Sequence, residues 1–279
     1  MTKRTVDTGT KDLLVHVEDG VAVITMNRPE RRNALSGVML TAMAAALAAF
    51  ETDSEVACIV LTGAGGAFCA GGDVKGMAEG TGGGSTAAAG TDLDSRIHAQ
   101  RVSQRATAGR LFKMPKPTIA SLPGAAAGAG LSLALACDLR IASEKAVMTT
   151  AFAKVGFSGD YGGTYFLSQL VGTAKARELY FLSERIDMST ALRLGLVNFV
   201  VPAEQLETET LKLAQRLARG PRVAYRYMKE NINRAASGAD VDDCLDLEAT
   251  HHVHTSFTED HREAAKAFVE KREPMFKGR

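Results

Sequence analysis

Neither sign of charge prevails in this chain. Its 33 basic and 32 acidic side chains leave a formal net charge of +1, too small to drive binding to nucleic acid or to an anionic membrane surface. Any anionic ligand must therefore meet a local cluster. The four cysteines, Cys58, Cys69, Cys137 and Cys244, include no Cys-x-x-Cys pair. Their spacing indicates neither a disulfide framework nor a zinc site, and a reducing cytoplasm is the expected home. His251, His252 and His254 have no acidic or cysteine partner at zinc spacing, so no metal is expected there. The N-terminal residues hold no apolar signal core. No Gly-x-Gly-x-x-Gly or Gly-x4-Gly-Lys-Ser/Thr pattern occurs, which argues against a dinucleotide fold or a P-loop. Pro117 to Cys137 carries no charge, but its Pro-Gly turn and small residues fit a buried strand, turn and helix better than a membrane span.

What is present is an ordinary globular composition, 46% hydrophobic and 23% charged, in a chain long enough to bury a sizeable core. Short β-branched runs at 21–25, 58–62, 118–121, 139–142 and 198–201 alternate with helical patterns at 37–51, 131–136, 165–171 and 175–182. That alternation predicts an α/β core with crossover connections. After Pro202 the pattern turns helical, with amphipathic segments at 203–219, 222–235, 241–256 and 258–271 punctuated by Gly220-Pro221 and Ser237-Gly238. The expected organisation is a core over 1–200 and a helical region over 201–279, packed on the core or on a neighbouring subunit. Glu79 to Asp92 is poor in bulky residues and reads equally as a cover for a bound ligand or as a surface insertion.

Two glycine-rich, charge-poor turns stand out, Phe68-Cys-Ala-Gly-Gly-Asp73 and Pro123-Gly-Ala-Ala-Ala-Gly-Ala-Gly-Leu131. Each joins a strand-like run to a helix-like one, so the N–H groups of Gly72 and Ala129 can be aimed at one point. An oxygen that becomes negative during a reaction is held well by such preorganised donors. Asp73 after the first turn reads as a helix cap. A third segment, Gly156-Phe-Ser-Gly-Asp160-Tyr-Gly-Gly163, adds a lone carboxylate with no formal counter-charge among its neighbours. Burial would raise the pKa of Asp160 and suit it to move a proton near neutral pH, whereas the plainer reading makes it a helix cap. Ser132 lies in a near match to a nucleophile elbow, but lacks the final glycine and the preceding strand.

In this order the segments resemble the crotonase superfamily, the enoyl-CoA hydratase/isomerase family. The match runs from Val21-Ala-Val-Ile-Thr-Met-Asn-Arg-Pro29 through Asn33-Ala-Leu35, Ala67-Phe-Cys-Ala-Gly-Gly-Asp73, Pro117 to Gly124, Gly128-Ala-Gly130, Cys137-Asp138 and Gly162-Gly163 to Ala191-Leu-Arg-Leu-Gly-Leu-Val197. The resemblance implies a spiral of ββα units, a C-terminal helical trimerisation region, a homotrimer or dimer of trimers, and an acyl-CoA thioester as ligand without a further cofactor. By motif position, Gly72 and Ala129 would donate to the thioester oxygen. Arg31 and Arg32 would meet the CoA moiety, a role that suits their charge. Ala70, Phe152 and Tyr161 would line the acyl site.

Hydratases of this family resemble one another in two glutamates, at positions that here read Ser132 and Phe152. Neither residue can activate water. The chain is instead similar to the isomerase branch, in which one acid, here Asp160, takes a proton from the acyl chain and returns it elsewhere. The alternatives are a hydratase that uses the same single carboxylate and a scaffold that binds CoA without chemistry. The dehalogenase branch normally has a tryptophan at the position of Phe152, and this chain has no tryptophan.

Overall fold

The computed structural model describes residues 3–78 and 92–279. Glu79 to Thr91, nearly all of the glycine-rich stretch singled out above, lie outside the described residues. The chain begins with β1 (Arg4–Val6), β2 (Leu13–Glu18) and β3 (Val21–Met26), an antiparallel set. Along β2, Leu13, Val15 and Val17 are buried while Leu14 and Glu18 are exposed, the period-2 pattern of a strand with one covered face. Helix α1 (Gly37–Thr52) follows, started by Ser36, whose hydroxyl accepts from the Met39 N–H at 3.2 Å. It leads into β4 (Cys58–Gly63), parallel to β3 with Val21 opposite Cys58.

Next come the short α2 (Val74–Ala78) and, beyond the undescribed segment, α3 (Leu93–Ala106) and α4 (Ala108–Lys113). Then β5 (Thr118–Leu122), β6 (Ala126–Ala127), α5 (Ala129–Ala136), β7 (Leu139–Ser143), β8 (Val147–Thr149), α6 (Gly163–Leu182), β9 (Ile186–Asp187), α7 (Met188–Arg193) and β10 (Phe199–Val201) complete the α/β part. The main sheet has the order β1-β2-β3-β4-β5-β7-β10, with every pair from β3 onward parallel. β6, β8 and β9 form a small second sheet.

A parallel sheet must be covered on both faces. On one side lie α1 and α5, with Met39, Met43, Leu47 and Phe50 against Ile59, Leu61, Ala120 and Leu122. On the other lies α8 (Leu206–Ala218), which brings Leu206, Ala214 and Ala218 to Val60, Ile119 and Ile141. The remaining helices are α9 (Arg222–Ala236), α10 (Val241–Ser256) and α11 (Glu259–Glu270). The Lys229 ammonium, with 9% of its side chain exposed, anchors α9. It donates to Asp138 at 2.9 Å, to Leu111 O at 2.9 Å and to Lys116 O at 3.2 Å.

The two helical patterns at 165–171 and 175–182 are the arms of one element, α6, broken at Gly172. There φ is 75° and ψ is 160°, a backbone conformation essentially reserved for glycine.

Candidate active site

Lateral pairing brings the two glycine turns together. Leu35 forms a parallel bridge with Gly72, and Cys69 one with Ala126, so 35, 69–72 and 126–127 run side by side at the mouth of the small sheet. Asn33, fully buried, locks this region. Its amide donates to Ala64 O and Ala67 O, both at 2.8 Å, and its oxygen accepts from the Arg28 N–H at 2.9 Å. Cys69 is packed so closely under α5 that a β-carbon on Gly130 would strike Cys69 O and lie 2.6 Å from Cys69 Cβ.

In the first turn, Leu35 N–H donates to Gly71 O at 2.8 Å. In a parallel bridge of this kind the residue opposite Leu35 turns its own N–H to the other side. In the second, Gly128 adopts φ 52° and ψ −126° and α5 starts at Ala129; the first helical bond is Ser132 N–H to Gly128 O at 3.0 Å. The leading N–H groups of a helix have no intrahelical acceptor. Among the described residues, the N–H groups of Gly72 and Ala129 donate to no acceptor. A β-carbon on Gly71 would fall 3.3 Å from Ala129 N, which measures how near the two turns come.

Asp160 sits in the turn before α6. Its carbonyl accepts from Gly163 N–H at 3.1 Å. The α6 N-cap, Gly162, supplies no side-chain cap, and the Asp160 carboxylate accepts no hydrogen bond from a described residue. Its Oδ1 is buried and unpaired. Burial without a partner pushes the carboxyl up to about 6, because desolvation penalises the charged form. Its charge reaches the first glycine turn and the neighbouring phenols, and helps to raise the pKa of Cys69, Tyr161 and Tyr180.

The other expected residues fall around this point. Tyr161, buried and with φ 49°, is pinned by α3: its N–H donates to Gln104 Oε1 at 2.8 Å and its hydroxyl pairs with Ser103 Oγ at 3.3 Å. Phe152 is buried and stacks on Tyr180. Ala70 N–H donates to Arg32 O at 2.9 Å, tying the first turn to the arginine loop. Arg31 is half-buried, and its Nη1 has no hydrogen-bond partner among the described residues, whereas Arg32 is exposed. Asp73 caps α2 through Gly76 N–H at 3.0 Å and receives Arg28 at 3.1 Å, so its carboxyl is held below the usual range by that cap and by the charges of Arg28 and Arg31. Ser132 is buried and donates back to Gly128 O at 3.3 Å. His251 is buried on the far side, stacked on Tyr227 and bonded to Asn231. Sequence reasoning missed Tyr180, which carried no local signal on an amphipathic helical segment.

Backbone donors beside a desolvated, uncharged-neighbour carboxylate make a constellation for enolate chemistry. The family model described as enoyl-CoA hydratase/isomerase matches residues 16–279. The chain belongs to the enoyl-CoA hydratase/isomerase family. It is an enzyme of that type with the crotonase fold.

Two relatives in the family illustrate its range. The chain is 36% identical to the 1,2-epoxyphenylacetyl-CoA isomerase of Escherichia coli (strain K12), over 96% of this chain and 98% of that one. It is 35% identical to the short-chain-enoyl-CoA hydratase of Clostridium acetobutylicum, over 94% and 95%. Among solved structures, the enoyl-CoA hydratase of Polaromonas sp. JS666 superposes with a TM-score of 0.86 at 33% identity, covering 95% of this chain and 99% of that one. The Bacillus anthracis enoyl-CoA hydratase gives 0.86 at 32% identity, covering 96% and 100%.

Proposed function

We propose that this enzyme moves a carbon–carbon double bond along an acyl-CoA thioester. Gly72 and Ala129 N–H groups receive the thioester oxygen, and Asp160 takes a proton from the acyl chain. The electron pair of the broken C–H bond delocalises into a dienolate whose oxygen rests on the two donors. Asp160 then returns the proton to a different carbon. No water is consumed and no redox partner is needed.

The observation that carries this reading is the Asp160 carboxyl, desolvated, unpaired at Oδ1 and raised to about 6. A base with a pKa near the working pH is ionised enough to accept a proton and acidic enough to give it back. Positions 132 and 152 supply a hydroxyl and a hydrocarbon, which leaves Asp160 as the acid–base group. Arg31 and Arg32 are assigned to the CoA moiety, and Ala70, Phe152 and Tyr161 to the walls of the acyl site.

The proposal extends to assembly, with the core over 1–200 and a homotrimer, or a dimer of trimers, formed through 201–279. Phe257, Phe268 and Val269 on the C-terminal helices are large, apolar and exposed in the single chain, which suits such a surface. No described helix is long and apolar enough to cross a membrane.

The test is incubation with a 3-enoyl-CoA in deuterium oxide, followed by NMR. The expected result is a 2-enoyl-CoA, deuterated where the proton returns, without hydroxyacyl-CoA. Accumulation of hydroxyacyl-CoA would make the enzyme a hydratase, the activity in the name of the Clostridium relative. Full turnover by Asp160→Asn would overturn both readings.

A further inference from the structure

The second arm of α6 returns a phenol to the turn that holds Asp160. A straight helix would carry residue 180 about 25 Å along the axis from residue 163, yet a β-carbon on Gly163 would lie 2.6 Å from the Tyr180 hydroxyl oxygen and would overlap Ser132 Oγ. A β-carbon on Gly159 would meet Tyr180 Cε1 at 3.0 Å and its oxygen at 3.4 Å. The phenol is thus clasped by the glycines on either side of Asp160 and backed by the stacked ring of Phe152. Its hydroxyl makes no hydrogen bond with a described residue, and its pKa is raised by desolvation and by the Asp160 charge. It is therefore a neutral donor. Ser132 Oγ donates to Gly128 O and makes no hydrogen bond with the Tyr180 hydroxyl among the described residues.

Two oxygens with no hydrogen-bond partner among the described residues, Asp160 Oδ1 and Tyr180 Oη, therefore share one corner of the site. A plain hydrocarbon chain placed there would strip water from both and give nothing in return, and desolvated polar groups left unpaired weigh heavily against binding. We propose that Tyr180 is a specificity-determining residue that donates a hydrogen bond to an oxygen substituent on the acyl chain, so that the enzyme selects oxygenated acyl-CoA thioesters over unsubstituted ones. This deepens the acyl-CoA reading above and rests on it. Sites built to pair a substrate hydroxyl discriminate strongly against the analogue that lacks it.

Binding of saturated thioesters tests this without calling on double-bond migration. Butanoyl-CoA, 3-hydroxybutanoyl-CoA and 4-hydroxybutanoyl-CoA are titrated calorimetrically into the full-length enzyme. The expected result is that one hydroxylated thioester binds at least tenfold tighter than butanoyl-CoA, and that Tyr180→Phe brings the ratio to about one. Gly163→Ala, whose methyl would press on the phenol oxygen, is expected to reduce the same ratio. Equal binding of all three by the wild type, or a ratio that survives Tyr180→Phe, would overturn this inference alone. Failure of all three to bind would overturn the acyl-CoA reading and this inference with it.

Discussion

Tyr180 lies nearly flat against Phe152, with ring centroids 5.7 Å apart and planes 11° from parallel. Phe152 also packs against the second glycine turn, where a β-carbon on Gly128 would lie 3.7 Å from its Cε1. Position 152, where the family resemblance implies a glutamate in hydratases, here carries a ring that stacks on a phenol.

Asp160 couples activity to stability. Burial raises its pKa in the folded chain to about 6, from the ordinary aspartate value of 3.8, so folding favours the protonated form. The benefit is fully present below about pH 4 and is lost as pH rises through 6. Asp160→Asn should therefore be more stable than wild type at pH 7.5 by about 2 kcal/mol after allowance for partial exposure. The gap should close toward pH 4. Urea unfolding at the two pH values checks this, and equal stabilities at pH 7.5 would refute it. In the wild type kcat/KM should rise with pH through about 6 as the base ionises.

Gly130→Ala drives a methyl group into Cys69 and pries the two glycine turns apart. It should destabilise by about 1–3 kcal/mol and lower kcat by 100-fold or more, since misplaced oxyanion donors lose most of their effect. Gly37→Ala is the control, because nothing lies within 4 Å of its added carbon. Thermal melts and deuterium-exchange rates of the two variants should diverge.

Lys229→Met leaves Asp138 with the Thr118 N–H and hydroxyl but without its cation. Breaking a largely buried pair from one side costs about 3 kcal/mol. Hydrogen exchange should quicken in α9 before it does in α8, which is held by Leu206, Ala214 and Ala218 and by the buried Thr210–Ser121 hydroxyl pair, none of them touched by the substitution. Uniform loosening of both helices would contradict this.

Phe268→Glu places a charge where 85% of an apolar ring is exposed on the single chain. If α11 builds the subunit interface, sedimentation should show the oligomer replaced by monomer. An unchanged sedimentation coefficient would remove α11 from that interface.

Much of the architecture was legible because burial on both faces forces β-branched runs. β3, β4, β5, β7 and β10 all fell where such runs were marked, α9 fell between Gly220-Pro221 and Ser237-Gly238, and α10 and α11 fell within the amphipathic segments 241–256 and 258–271. β2 went unmarked although its Leu13, Val15 and Val17 alternation is plain. The two-residue strands β6 and β9 are too short to have a period at all. At the site, Gly72, Ala129 and Asp160 were marked by turns rich in glycine and poor in charge. Tyr180 was hidden because its neighbour in space is twenty positions away in the chain and its own segment has only an amphipathic pattern.

Gly172 makes chain distance a poor ruler for this enzyme. The arms of α6 can be shortened or lengthened separately, and whichever side chain of the second arm swings round then faces the carboxylate. Relatives that share every glycine of the two turns can therefore present different groups to the same acyl carbon, and comparing them at position 180 requires the bend to be superposed before the residues are matched.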